Sequence, residues 1–191
     1  MPDATTAPLP RWSVADVHES FAARSFLDAL ERSGADVGRL EALFDESDVR
    51  ATAARTPTAR DGEVADAVIR AFNACAKDLE VLAAYVYATV STDSRDERAQ
   101  SLLSELEVLE SRTTPLLARL ADWVASLDAD ALAAVSHEAR EHVGPLRRLQ
   151  ARAEHQMSEA EEGLHAELSV TGSSAWSRLH ADVTSQLTTA V

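Results

Sequence analysis

Apolar side chains return every three or four residues along most of this chain, and short polar stretches interrupt the returns. Phe26, Leu30, Val37, Leu40 and Phe44 keep helical spacing. Gly34 and Gly38 each weaken such a helix by about 1 kcal/mol relative to alanine, which predicts a break near Ser33. Residues 47–62 lose the spacing and contain Pro57 and Gly62, so a loop is expected there. The clearest stripe follows: Val64, Val68, Phe72, Cys75, Leu79, Leu82, Val86 and Val90, widened by Tyr85 and Tyr87. Ser94 and Glu97 then form a capping box for a long helix through Leu102, Leu106, Leu109, Leu116, Leu120, Trp123 and Leu127. Pro115 lies inside it and is expected to kink it, because proline removes one intrahelical bond.

The last third is more divided. Asp128 and Asp130 offer caps for a shorter helix through residue 142, which Gly144-Pro145 should end. Pro145 can open the next helix, through Leu146, Leu149 and Ala153. Ser158 and Glu161 make a further capping box for a helix stopping at Gly172. Ser173 or Ser174 should cap the final helix, whose apolar positions are Trp176, Leu179, Val183 and Leu187 and are read as buried. At the front, residues 1–10 carry three prolines and read as a flexible tail. Ser13, just after Trp12, pairs with Asp16 as a helix cap would. The expectation is an all-α fold: a single domain over residues 11–191, an elongated bundle of six or seven helices in antiparallel hairpins.

Composition supports helix. Alanine is about a fifth of the chain, while aromatic residues are 5%. The net charge of −14 makes phosphate backbones and anionic membranes poor partners, so neither nucleic acid nor membrane is expected. Cys75 is the single cysteine and sits on an apolar stripe, where a buried thiol is expected. The N-terminus lacks the basic and apolar regions of a signal peptide, and no apolar run reaches the length of a membrane span. A cytoplasmic protein is the expectation.

The histidines lack the spacing that metal chemistry needs. His137-Glu138-Ala139-Arg140-Glu141-His142 places its histidines five residues apart, whereas a zinc helix needs His-Glu-x-x-His. Five steps leave the rings about 140° apart around the helix. Glu162 and His165 have the Glu-x-x-His spacing of a dinuclear centre, but on one helix instead of two. No glycine-rich phosphate loop is present. No catalytic, cofactor-binding or metal-ligating residue is therefore assigned, and no cofactor is expected in this chain.

Three places carry a family resemblance. Trp12-Ser13-Val14-Ala15-Asp16-Val17 is one. The second is the stretch 146–168, with His155, Ser158, Glu161 and Glu162. The third is Leu168-Ser169-Val170-Thr171-Gly172, followed by Ala175-Trp176 and Leu179. Together they resemble the N-terminal helical lobe of the oligoendopeptidase F family of zinc metallopeptidases. The resemblance implies one wall of a channel for short peptides, facing a catalytic lobe that holds zinc on a His-Glu-x-x-His helix. None of the family's catalytic residues falls in the matched part. The expectation is therefore a peptidase lobe that is inactive alone and truncated before the catalytic domain. A free-standing, non-catalytic helical interaction module is the alternative. A lobe built to meet a second one should expose apolar surface, and Trp176, Leu179, Val183 and Leu187 are the candidate interface. The partners implied are the catalytic lobe or a second copy, with short peptides bound by the full-length protein.

Overall fold

In the computed structural model, residues 13–153, 164, 168–169 and 171–186 are described. The proline-rich tail, Trp12, the Ser158 box, Glu162, His165 and Leu187 lie outside them. Among the described residues the fold is all-α, with seven helices: α1 (Arg24–Glu46), α2 (Ala59–Thr92), α3 (Glu97–Leu127), α4 (Ala129–Val135), α5 (His137–Glu141), α6 (Val143–Ala153) and α7 (Ser173–Ser185).

The polar caps explain where helices begin, and they correct several sequence expectations. Ser13 accepts from the amide of Ala15 and shapes a turn over residues 14–17; the helix waits until Arg24. Thr58 and Asp61 form the reciprocal capping box that starts α2, so Gly62 belongs to its first turn and not to a loop. Asp61 also holds Arg55 through two bonds of 2.7 and 2.6 Å. Gly62 is required by proximity: a Cβ there would lie 2.2 Å from the carbonyl oxygen of Val135. Asp96, rather than Ser94, caps α3 by accepting from the amide of Ala99.

α1 does not break near Ser33. It runs unbroken because Phe26, Val37, Leu40 and Phe44 bury one continuous face, and Ser33 is buried with them. That burial outweighs the glycine penalties, and the Arg112 guanidinium lies over Gly38. α3 continues through Pro115 without ending. Tyr87 does not widen the buried stripe of α2; it points to solvent, while Tyr85 is buried.

The expected helix from 128 to 142 is two helices. Asp128, at φ 66°, turns the chain and accepts from the amides of Asp130 and Ala131 to start α4. Ser136 then interrupts. Its hydroxyl donates to Asp66 at 2.6 Å and accepts from the amide of Ala139, so it ends α4 and caps α5. Asp66 also accepts from the amide of Glu138 at 2.9 Å. Burial alone would raise its pKa, but these donors outweigh it and hold the carboxyl below the ordinary range. Gly144 and Pro145 sit in the first turn of α6 instead of ending a helix.

Pairings fix the layout. Phe26 meets Tyr85 and Phe44 meets Phe72, so α1 runs antiparallel to α2. Arg112 grips Glu41 with bonds of 2.9 and 2.6 Å, and Arg119 reaches Asp45 and the carbonyl of Val49, so α1 runs parallel to α3. His18, Phe21, Phe26 and Tyr85 cluster edge to face, and the Tyr85 hydroxyl donates to the His18 carbonyl. The loop before α2 is strapped to the end of α3 by Ser126, which bonds the backbone of Thr52. α4, α5 and α6 close the bundle around the first half of α2 and the last half of α3. The core runs without interruption from Phe26 to Leu146, with Trp123, Val124, Leu127 and Leu132 at that closed end.

Candidate functional site

α7 stands apart from this bundle. None of its residues is buried, and among the described residues one hydrogen bond joins it to the bundle, Ser185 to Ser94 in the turn between α2 and α3 across 3.2 Å. Neither Ser173 nor Ser174 caps it; Gly172 occupies that place without a side-chain bond. The expected burial of its apolar stripe is likewise not found. Trp176 is 70% exposed, Leu179 50% and Val183 52%. At positions i, i+3 and i+7 these three share one helix face. Leu164 and Leu168, just upstream, are exposed as well. Three of the four candidate interface residues thus form one solvent-facing strip, and Leu187 is outside the described residues.

A second feature lies at the closed end. α2, α3 and α6 enclose a groove of about 310 Å³ with an apolar floor that includes Ile69, Phe72, Leu120, Leu146 and Leu149. Its rim is polar: Arg148 and Arg152 on α6, and Asn73 facing His142. The His142 ring closes one corner. Its Nδ1 lies 3.0 Å from the carbonyl of Glu138 and must donate to it, so Nε2 accepts from the Asn73 amide at 3.2 Å. Sequence reading missed this groove because its walls come from segments 70 residues or more apart in places, and no local pattern marks such a junction.

A third, more open depression of about 560 Å³ lies between α2 and α3, floored by small residues such as Ala76, Ala83 and Ala84 and edged by Tyr87 and Glu110. The Glu110 carboxyl is pushed up by desolvation and by the neighbouring Glu107.

Among the described residues no histidine sits in a zinc-binding arrangement. Both ring nitrogens of His142 are engaged, and among the described residues no three histidine, cysteine, aspartate or glutamate side chains gather as a ligand set. Cys75 is buried, and desolvation raises its thiol pKa, away from the thiolate that nucleophilic chemistry needs. Among the described residues no helix is long and apolar enough to cross a membrane.

Comparison with known proteins places a family on part of this architecture. No curated protein and no solved structure matches the chain. The family model described as Oligopeptidase F matches residues 123–188, about a third of the chain. The match takes in the end of α3, the helices α4 to α7, and the second and third stretches of the sequence resemblance; the Trp12 stretch lies outside it. From Trp123 to Thr188, then, this chain is similar to the N-terminal lobe of an oligopeptidase F-type peptidase.

Proposed function

We propose that the chain is the N-terminal, substrate-channel lobe of an oligopeptide-cleaving zinc metalloendopeptidase, which docks onto a catalytic lobe through α7 and does no chemistry alone. The observation that carries this reading is a coincidence of place. The exposed strip of Trp176, Leu179 and Val183 falls inside the matched stretch, on a helix with no buried residue among those described. Indole and branched aliphatic side chains at helical spacing are what a helix-to-helix interface buries. The activity itself belongs to the catalytic lobe, where zinc would activate water and the His-Glu-x-x-His helix would hold it. The bundle supplies a rigid wall, tied by the Asp66, Arg112 and Ser126 contacts.

The alternative is a free-standing interaction module. The alanine-floored depression between α2 and α3 favours it, since small residues let a partner helix approach closely. One experiment separates the two. The chain is mixed with a separately produced oligopeptidase F catalytic lobe, and sedimentation is followed alongside hydrolysis of a quenched peptide. The proposal expects complex formation and gain of hydrolysis, both lost in a Leu179→Glu, Val183→Glu variant. A wild-type chain that stays monomeric, binds no hydrophobic dye and ignores the catalytic lobe contradicts it.

A further inference from the structure

The groove between α2, α3 and α6 opens onto the edge of the core, away from the α7 strip. Most of its lining is apolar, yet it includes two arginines in a chain of net charge −14. Arg148 and Arg152 sit one turn apart on α6, and like charges at that spacing repel. Most arginines of the bundle are paired with carboxylates: Arg55 with Asp61, Arg70 with Glu138, Arg112 with Glu41 and Arg147 with Asp130. Among the described residues Arg148 and Arg152 have no carboxylate partner. The helix dipole favours a cation in the last turn and so suits Arg152, but Arg148 lies a full turn earlier. Its Nη1 folds back toward the start of α6, 3.8 Å from where a Cβ on Gly144 would stand, and Arg148 lines the groove beside Pro145.

We propose that this groove binds an apolar group ending in a carboxylate, with the tail on the floor of Ile69, Phe72, Leu120 and Leu149 and the carboxylate between Arg148 and Arg152. A guanidinium presents a planar fork that fits a carboxylate through two parallel bonds. The field of so acidic a chain disfavours a multiply charged ligand, which selects a monoanion. A volume of about 310 Å³ is at the small end for ligand sites and holds about ten non-hydrogen atoms, judged from the volume of liquid water. An aliphatic acid of that size and the C-terminal residues of a short apolar peptide share this chemistry. The site is independent of α7, so it stands or falls apart from any docking of a second lobe.

Calorimetric titration of the full chain tests it, with octanoate, octanamide, octyl phosphate, and an apolar tripeptide as free acid and as amide. Octanoate or the tripeptide acid is expected to bind at least tenfold more tightly than its uncharged amide, and less tightly as salt is added. Arg148→Gln with Arg152→Gln should abolish that difference while leaving the circular dichroism spectrum unchanged. Arg147→Gln, on the same helix but paired with Asp130, should preserve it. Binding by the tripeptide acid alone identifies a peptide terminus as the ligand, and binding by octanoate alone an aliphatic acid; either supports the site. Equal binding of acids and amides, tighter binding of octyl phosphate, no binding at millimolar concentration, or an unaffected double variant overturns it.

Discussion

α3 and α7 carry nearly the same message in sequence and meet opposite fates. In α3, Leu116, Leu120, Trp123 and Leu127 follow helical spacing, and Trp123 is 3% exposed. In α7, Trp176, Leu179 and Val183 follow it too, and Trp176 is 70% exposed. Periodicity therefore identifies the face that is meant to be covered, but not what covers it. For α3 the cover is at hand: α1, α2, α4 and α6 all lie against it. For α7 the described residues offer a single serine-to-serine bond. Among the described residues, then, the α7 face is apolar and left uncovered, which is what the proposed docking of a second lobe rests on.

Substitutions can break or sharpen this contrast. The largest effect is expected from Trp123→Ala, which removes a buried indole and should destabilise the chain by about 3–5 kcal/mol in urea unfolding. A loss below about 1 kcal/mol would mean that the closed end of the bundle is not a packed core. Gly62→Ala comes next. Its methyl cannot coexist with the Val135 carbonyl, so α2 and α4 must part, at about 1–3 kcal/mol by the same assay. Alanine as stable as glycine there would show that α4 is not held against α2.

Asp61→Asn should cost about 1–2 kcal/mol at neutral pH, toward the lower end because Arg55 is 42% exposed and screened by water. The Arg55 guanidinium, aided by both Thr58 donors, holds the Asp61 carboxyl well below the usual carboxylate range against the opposing effect of burial. A depressed folded-state pKa stabilises at pH values above the unfolded value and loses that contribution as pH falls through the folded one. The gap between wild type and D61N should thus be constant at neutral pH and narrow below about pH 4. A gap that persists unchanged to pH 2 would assign the effect to the cap geometry alone. The smallest effect is expected from Trp176→Ser, within about 0.5 kcal/mol for the chain alone. A large loss would place the α7 strip inside the fold rather than on an interface.

The bundle was largely legible because its helices bury one face each, and stripes such as Val64 to Val86 record that burial directly. Misreadings fall where a distant residue decides a local matter. Gly62 looks like loop punctuation until Val135 is brought against it. Ser136 looks like an ordinary helix position until Asp66, seventy residues earlier, accepts a hydrogen bond from its hydroxyl. The glycines of α1 suggest a break that neighbouring helices suppress by covering Val37 and Leu40. Trp176, Leu179 and Val183 do share one face of α7, but spacing gave them burial and exposure in turn, since it carries no information about neighbours. The arginine-rimmed groove had no sequence signature, because Phe72, Leu120 and Leu149 become adjacent only when three helices meet.

The contacts that lock this bundle share a span along the chain. Tyr85 reaches back 67 residues to His18, Asp66 reaches forward 70 to Ser136, Arg112 reaches back 71 to Glu41, and Ser126 reaches back 74 to Thr52. On a ribosome adding about 5–20 residues each second, Asp66 emerges about 4–14 s before the serine that satisfies it. Through that interval α2 would stand half-clothed, with Asp66 unanswered and its apolar stripe open to whatever passes. Nascent chains halted shortly before and shortly after residue 140 emerges should differ sharply in protease sensitivity at α2. Equal sensitivity would mean that the hairpin of α2 and α3 closes without its cap. For this protein, the vulnerable period is set by the distance in sequence between a carboxylate and a hydroxyl.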